Sequence, residues 1–239
     1  MKMVRLLSLS ILLFSSSALA LGPEELKARL SALKLPVQTI TQSAIPGMFE
    51  VRLDGGQSLF VTEDGKHFLT GDLYEASDDG FINLSEESRS EHRREALAAL
   101  DVKDMVVFSP PSDKVKATVS VFTDIDCGFC RKLHQEVPAL NRMGIAVRYL
   151  AFPRSGPDTP SYDKIVSAWC ADNPQEALTL AKLGQDIEPK TCKNRVAAQY
   201  ELGNELGVTG TPSLIYEDGT LVPGYLPADQ LARRLGVIN

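Results

Sequence analysis

Positive charge is the first thing this sequence is short of. Its 239 residues carry 25 Lys and Arg against 31 Asp and Glu, a formal net charge of -6. Nucleic-acid binding draws on a basic surface that neutralises phosphates, so the balance argues against nucleic acid as a partner. Long apolar runs are also missing after the first twenty residues, so no later segment reads as a bilayer-spanning helix. There is no internal repeat and no low-complexity tract. Cysteine is scarce, with four in the chain: Cys127, Cys130, Cys170 and Cys192. What remains is ordinary globular composition, 44% hydrophobic and 23% charged, long enough for one large domain or two small ones.

The first twenty residues read as a leader. Lys2 and Arg5 form a positive start, Leu6 to Phe14 is apolar, and Ala18-Leu19-Ala20 is a small-residue cleavage signal. The expectation is a cleaved signal peptide over 1–20, a mature chain from about Leu21, and export. In an oxidising compartment an even cysteine count points to disulfides.

The mature chain divides by pattern. Residues 21–82 predict a short helix, Pro23 to Leu35, then short strands separated by Asp54-Gly55-Gly56 and Glu63-Asp64-Gly65-Lys66, a small antiparallel sheet. A unit of about 60 residues has a marginal core, and pairing with a second copy would cover its edges. Ser77 to Phe81 reads as a polar turn. Residues 83–101 predict a linker helix opened by Asn83 and Glu86, polar over most of its length. Residues 102–239 predict a βαβ unit: strand Ala117 to Asp124, a helix from Gly128 interrupted at Pro138, and strand Ile145 to Phe152. Helices follow to Leu206, then a hairpin and a last helix. The fold class is α+β, with an N-terminal antiparallel β domain and a C-terminal α/β domain carrying a helical insertion.

Cys127-Gly128-Phe129-Cys130 sits where a strand ends and a helix begins. There Cys127 meets unpaired N–H groups and the positive end of the helix dipole, which favour an exposed thiolate. Cys130 falls one turn deeper, shielded and less acidic. Asp124 and Asp126 oppose the thiolate, and Arg131 and Lys132 offset them. Three uses compete. Zinc needs about four ligands, and beyond the pair only His134 has tolerable spacing. A structural 127–130 bridge closes too short a loop to remove much chain entropy. Thiol–disulfide exchange suits an attacking thiolate with a buried partner, and it is the reading preferred. Cys170 and Cys192 enclose a longer loop, where a structural disulfide is favoured and a second reactive pair is the alternative. "TGTPS", Thr209 to Ser213, is by composition a turn before a strand.

Six stretches, "DGKHFLTGDLYE", "VFTDIDCGFCRKLH", "GIAVRYLAFPRSG", "AWC", "LGVTGTPS" and "GTLVPGYLP", resemble in order the DsbC-type family of bacterial periplasmic disulfide isomerases. The resemblance covers almost the whole mature chain. It implies a V-shaped homodimer, an N-terminal dimerisation domain, a linker helix and a thioredoxin-like catalytic domain. It makes Cys127 the nucleophile and Cys130 its partner. Pro212 becomes a cis-proline facing them, and Thr211 binds peptide together with Gly128 and Phe129. Cys170 and Cys192 match the structural disulfide. His67, Phe68, Leu69, Thr70 and Gly71 fall at the dimer contact. The implied partners are misfolded disulfide-containing exported proteins and a membrane thiol reductase of the DsbD type, with no metal or other cofactor. The alternative within the same chemistry is a DsbG-like thiol reductase or chaperone of narrower specificity. Two departures stand out. Phe129 replaces the usual tyrosine, and Asp126 replaces a small polar residue, where its charge is expected to disfavour the Cys127 thiolate.

Overall fold

The computed structural model describes residues 21–239, so the leader lies outside the described residues. The chain forms two compact units, the first made of residues up to Arg52 with Leu59–Thr70, the second of Leu53–Ser58 with Gly71–Asn239. No helix among the described residues is long and apolar enough to cross a membrane.

The first unit opens with α1 (Pro23–Ala32), which has proline in its first turn and Glu24 and Glu25 at the positive end of its dipole. Leu26 and Leu30, four apart, are its buried positions. Strands β1 (Val37–Gln42), β2 (Met48–Leu53), β3 (Ser58–Thr62) and β4 (Phe68–Thr70) form one sheet in that order. Strict alternation buries Phe49, Val51 and Leu53 on β2. At the sheet's edge, β4 pairs only with β3, antiparallel from Val61↔Phe68 to Leu59↔Thr70. It leaves Phe68 and Leu69 about 60% exposed, at 60% and 59%.

The second unit is built on a five-stranded sheet, ordered β11-β10-β8-β9-β7. Its centre is the predicted βαβ: β8 (Ala117–Thr123), α3 (Gly128–Met143) and β9 (Ile145–Ala151), the strands parallel from Ala117↔Ile145 to Thr123↔Ala151. Antiparallel flanks complete it, with β7 (Val106–Phe108) on β9, and β10 (Ser213–Tyr216) between β8 and β11 (Leu221–Pro223). Every residue of β8 is buried, as a strand covered on both faces requires. Successive side chains enter two cores. Val121, Tyr149 and Leu214 join Leu133, Val137 and Leu140 of α3 on one side, while Phe122, Leu150 and Ile215 pack with Phe152 and Leu206 on the other. Helices α4 (Pro160–Trp169), α5 (Pro174–Lys182), α6 (Val196–Glu205) and α7 (Ala228–Arg234) follow.

Two local readings, at Pro138 and at Ser77 to Phe81, differ from the structure. Helix α3 runs unbroken through Pro138 to a left-handed Gly144 cap. Buried Val137 and Leu140 on either side of the proline hold the helix against the sheet despite the lost backbone bond. Ser77 to Phe81 belongs to a hairpin of β5 (Tyr74–Ser77) and β6 (Gly80–Asn83). Helix α2 (Leu84–Ala98) starts at Asn83, whose side chain accepts from the Glu86 N–H. Its polar surface is engaged within the second unit. The buried Arg93 guanidinium donates to the Gly219 carbonyl at 2.7 Å, and His92 meets Glu205 at 3.1 Å. A Cβ on Gly219 would stand 1.8 Å from the Ser90 carbonyl, so only glycine permits this seat.

His134 on α3 is buried with both ring nitrogens against hydroxyls, Tyr149 at 3.1 Å and Thr179 at 3.0 Å. Burial, with help from Lys182, lowers its pKa from 6.5 to about 4. Between those values the unfolded chain binds the proton that the folded chain refuses. Stability due to neutral His134 is therefore complete above pH 6.5 and is lost as pH falls towards 4. Urea unfolding is expected to show a loss approaching about 3 kcal/mol over this interval, absent from His134→Gln. Equal pH slopes in the two proteins would contradict it.

Candidate active site

Thr123 ends β8, and the chain turns through Asp124, Ile125 and Asp126 before α3 begins. Cys127 is the N-cap of α3, and Cys130 lies one turn inside. Both thiols are free. Cys130 is fully buried, and Cys127 is only 3% exposed, a more covered sulfur than the exposed thiolate expected from its position at the helix start. The cover comes from a distant segment. Thr211-Pro212 is a cis peptide immediately before β10, and the Cys127 Sγ donates to the Thr211 carbonyl at 3.2 Å. Phe129, 63% exposed, and Gly128 form the solvent side of the pair.

The two thiols are poised in opposite senses. Burial raises the Cys127 pKa, but the Thr211 side chain, hydrogen bonding from Cys130 and the Arg154 charge outweigh it, so the thiol lies below the ordinary value. The Thr211 hydroxyl is buried at the pair and is a donor that favours the anionic form of either sulfur. Burial of Cys130 is deeper and dominates, holding that thiol above the ordinary value despite Lys182.

The surrounding charges differ from those the sequence suggests. Asp124 is 2% exposed and accepts from the Arg154 side chain (3.1 Å) and N–H (3.0 Å), from Ser161 (2.9 Å) and from the Asp126 N–H (2.8 Å). Burial opposes its ionisation, and these bonds together overcome it. Arg154 thus arrives from the loop after β9, paired with a buried carboxylate and acting on Cys127. Asp126 binds Lys164 at 3.1 Å and Arg131 at 3.4 Å, a cluster with net positive charge. The field expected to disfavour the Cys127 thiolate is therefore offset at its source. Lys132 lies over the Tyr225 ring, 4.5 Å from its centre. Arg154 and Lys182 were not legible as site residues, because nothing local in the sequence sets them beside the pair; Thr123 is close in sequence, but its bond to Lys182 is tertiary.

Away from this centre, Cys170 at the end of α4 and Cys192 form a disulfide, with S–S 2.08 Å and Cα atoms 5.6 Å apart. His67 to Thr70 lies in the first unit, on and beside edge strand β4, and Gly71 is the next residue in the chain.

A helix-start cysteine pair under a cis-proline loop, on a central parallel strand pair, is the arrangement of thioredoxin-like proteins that exchange thiols and disulfides. Family comparison agrees along the chain: residues 105–238 match the thioredoxin-like domain, and residues 17–86 match the disulfide bond isomerase protein N-terminal domain. The chain belongs to the DsbC family of thiol:disulfide interchange proteins. The thiol:disulfide interchange protein DsbC of Dickeya dadantii is 40% identical over 232 residues, 94% of each chain. That of Escherichia coli is 36% identical over 202 residues, 84% of this chain and 82% of its own. Among solved structures, a disulfide interchange protein from Neisseria gonorrhoeae is 27% identical with a TM-score of 0.51, over 57% of this chain and 96% of that one.

Proposed function

We propose that this thiol:disulfide interchange protein rearranges wrong disulfides in exported proteins, with Cys127 attacking and Cys130 resolving. The observation that carries the assignment is the placement of the two thiols, Cys127 at the start of α3 against the cis Thr211-Pro212 loop and Cys130 fully buried one turn inside, with the first thiol pKa lowered and the second raised. Cys127 thiolate attacks a substrate disulfide, forming a mixed disulfide and releasing one substrate thiolate. The cycle then ends in one of two ways. A substrate thiol displaces Cys127 and leaves a rearranged disulfide, or Cys130 attacks the Cys127 sulfur and leaves a reduced substrate with an oxidised pair. Thr211 and Pro212, with Gly128 and Phe129, supply the surface against which the peptide lies. Net isomerisation needs Cys127 kept reduced, which fits a membrane thiol reductase as partner. The leader over residues 1–20 fits export to the periplasm. Cys170 and Cys192 serve as a staple outside the cycle.

We also read the chain as a homodimer joined through His67 to Gly71. An edge strand with two large exposed apolar side chains, Phe68 and Leu69, invites strand pairing and aggregation unless covered. A second copy of the same strand covers it with matched hydrogen bonds.

Wild type is expected to restore activity to a scrambled, fully oxidised multi-disulfide protein, and Cys127→Ala to lose that rescue by at least about a hundredfold, since no other thiolate starts the exchange. Equal rescue by both would contradict the assignment. Normal reduction of a simple disulfide without rescue of the scrambled protein would favour the narrower reductase reading. Leu69→Asp should convert the dimer to a monomer in sedimentation equilibrium, and a monomeric wild type would overturn the dimer.

A further inference from the structure

The exchange cycle leaves one buried cation beside the pair without a task. Lys182, on the last turn of α5, is 3% exposed. Its Nζ donates to the Thr123 hydroxyl at 2.7 Å and to the Asp124 backbone carbonyl at 3.4 Å, and it lies 5.4 Å from the centre of the Tyr149 ring. The Asp124 carboxylate is already occupied by Arg154 and Ser161. A buried ammonium without a carboxylate on it is costly, and an apolar side chain would fill the space without that cost.

Lys182 also acts on sulfur, its charge favouring the Cys130 thiolate. The Thr123 hydroxyl, bound by Lys182, is also among the groups that favour the Cys130 thiolate. Among the other titratable neighbours, His134 and Tyr149 are held neutral by burial, Arg131 is turned to Ile125 and Asp126, and Cys127 is consumed in the mixed disulfide. Arg154 also acts on Cys130, but its charge is shared with the Asp124 carboxylate and with Cys127. Burial lowers the lysine pKa to about 8, which still leaves mostly ammonium at neutral pH.

We propose that Lys182, through the Thr123 hydroxyl, provides the counter-charge for the Cys130 thiolate and so sets how often a mixed disulfide is resolved by Cys130 rather than by a substrate thiol. This rests on the reading of Cys127 and Cys130 as attacking and resolving sulfurs. In the step concerned, Cys130 releases its proton to solvent and the ammonium balances the thiolate. The thiolate attacks the Cys127 sulfur, a Cys127–Cys130 bond forms, and the Cys127–substrate bond breaks. The substrate thiolate leaves and takes up a proton, and two electrons pass from the cysteine pair to the substrate. Lys182 is a positioning and charge-balancing residue for reduction, and its loss shifts the outcome towards isomerisation.

The test follows the full-length reduced protein reacting with a glutathione mixed disulfide of a labelled peptide, acid-quenched and read by mass spectrometry. Wild type, Lys182→Met, Thr123→Val and Cys130→Ser are compared across pH. Lys182→Met removes an uncompensated buried charge and should fold at least as well as wild type. Its first attack should stay within about twofold of wild type, its resolution should slow by about tenfold at pH 7, and the pH profile of resolution should move up by about one unit. Thr123→Val should move the profile in the same direction. A Lys182→Met protein with the wild-type resolution rate and profile, while Cys130→Ser traps the mixed disulfide, overturns the role of Lys182 alone. Failure of Cys130→Ser to trap it overturns the site assignment and this proposal together.

Discussion

The hydrogen bond from the Cys127 Sγ to the Thr211 carbonyl, 3.2 Å long, joins positions 84 residues apart in sequence. Much of the second unit serves to make that contact. Antiparallel pairing of β10 with β8, in the register Ser213↔Phe122, brings the residue after Pro212 level with the end of the strand that delivers the cysteines. Without it, Cys127 would sit at an open helix start, and its sulfur would be set by helix and solvent alone. With it, the sulfur is covered, oriented and offered a hydroxyl donor.

Cover has an electrostatic consequence. Both sulfurs lose water, which favours the neutral thiol at each. The fold then compensates at one and leaves the other buried. Cys127 receives the helix N–H groups, Thr211 and Arg154. Cys130 has Thr123 and Lys182, which fall short of offsetting its depth. Arg154 can stay beside the pair because it is bonded to the buried Asp124, so a carboxylate that looks adverse in sequence fixes the cation that favours the thiolate. The resulting order of acidity is what distinguishes an attacking sulfur from a resolving one in the proposed cycle.

Much of this was legible beforehand. The apolar strands around Cys127 and the Asn83–Glu86 pair are local signals that the structure matches. The cysteine pair announced its chemistry through its place between strand and helix. What escaped was set by tertiary structure. Arg154 and Lys182 reach the site only through packing of the β9 loop and α5, and the contact of Thr123, at the end of β8, with Lys182 depends on the same packing. Pro138 looked like a break because proline removes one helix bond, yet Val137 and Leu140 keep α3 on the sheet. The polar surface of α2 gives no sign in sequence of where it docks. Buried Arg93, bonded to a backbone carbonyl, shows that a polar stripe can dock as an apolar one does.

The central claim is that Cys127 is the more acidic sulfur and Cys130 the less acidic one. Alkylation of the reduced full-length protein across pH, with each site followed by mass spectrometry, measures this directly. The account predicts that Cys127 is modified first, with a midpoint below the value of about 8.5 for a free thiol, and that Cys130 reacts only at higher pH. Modification of Cys130 first, or of both together at the free-thiol value, would contradict it.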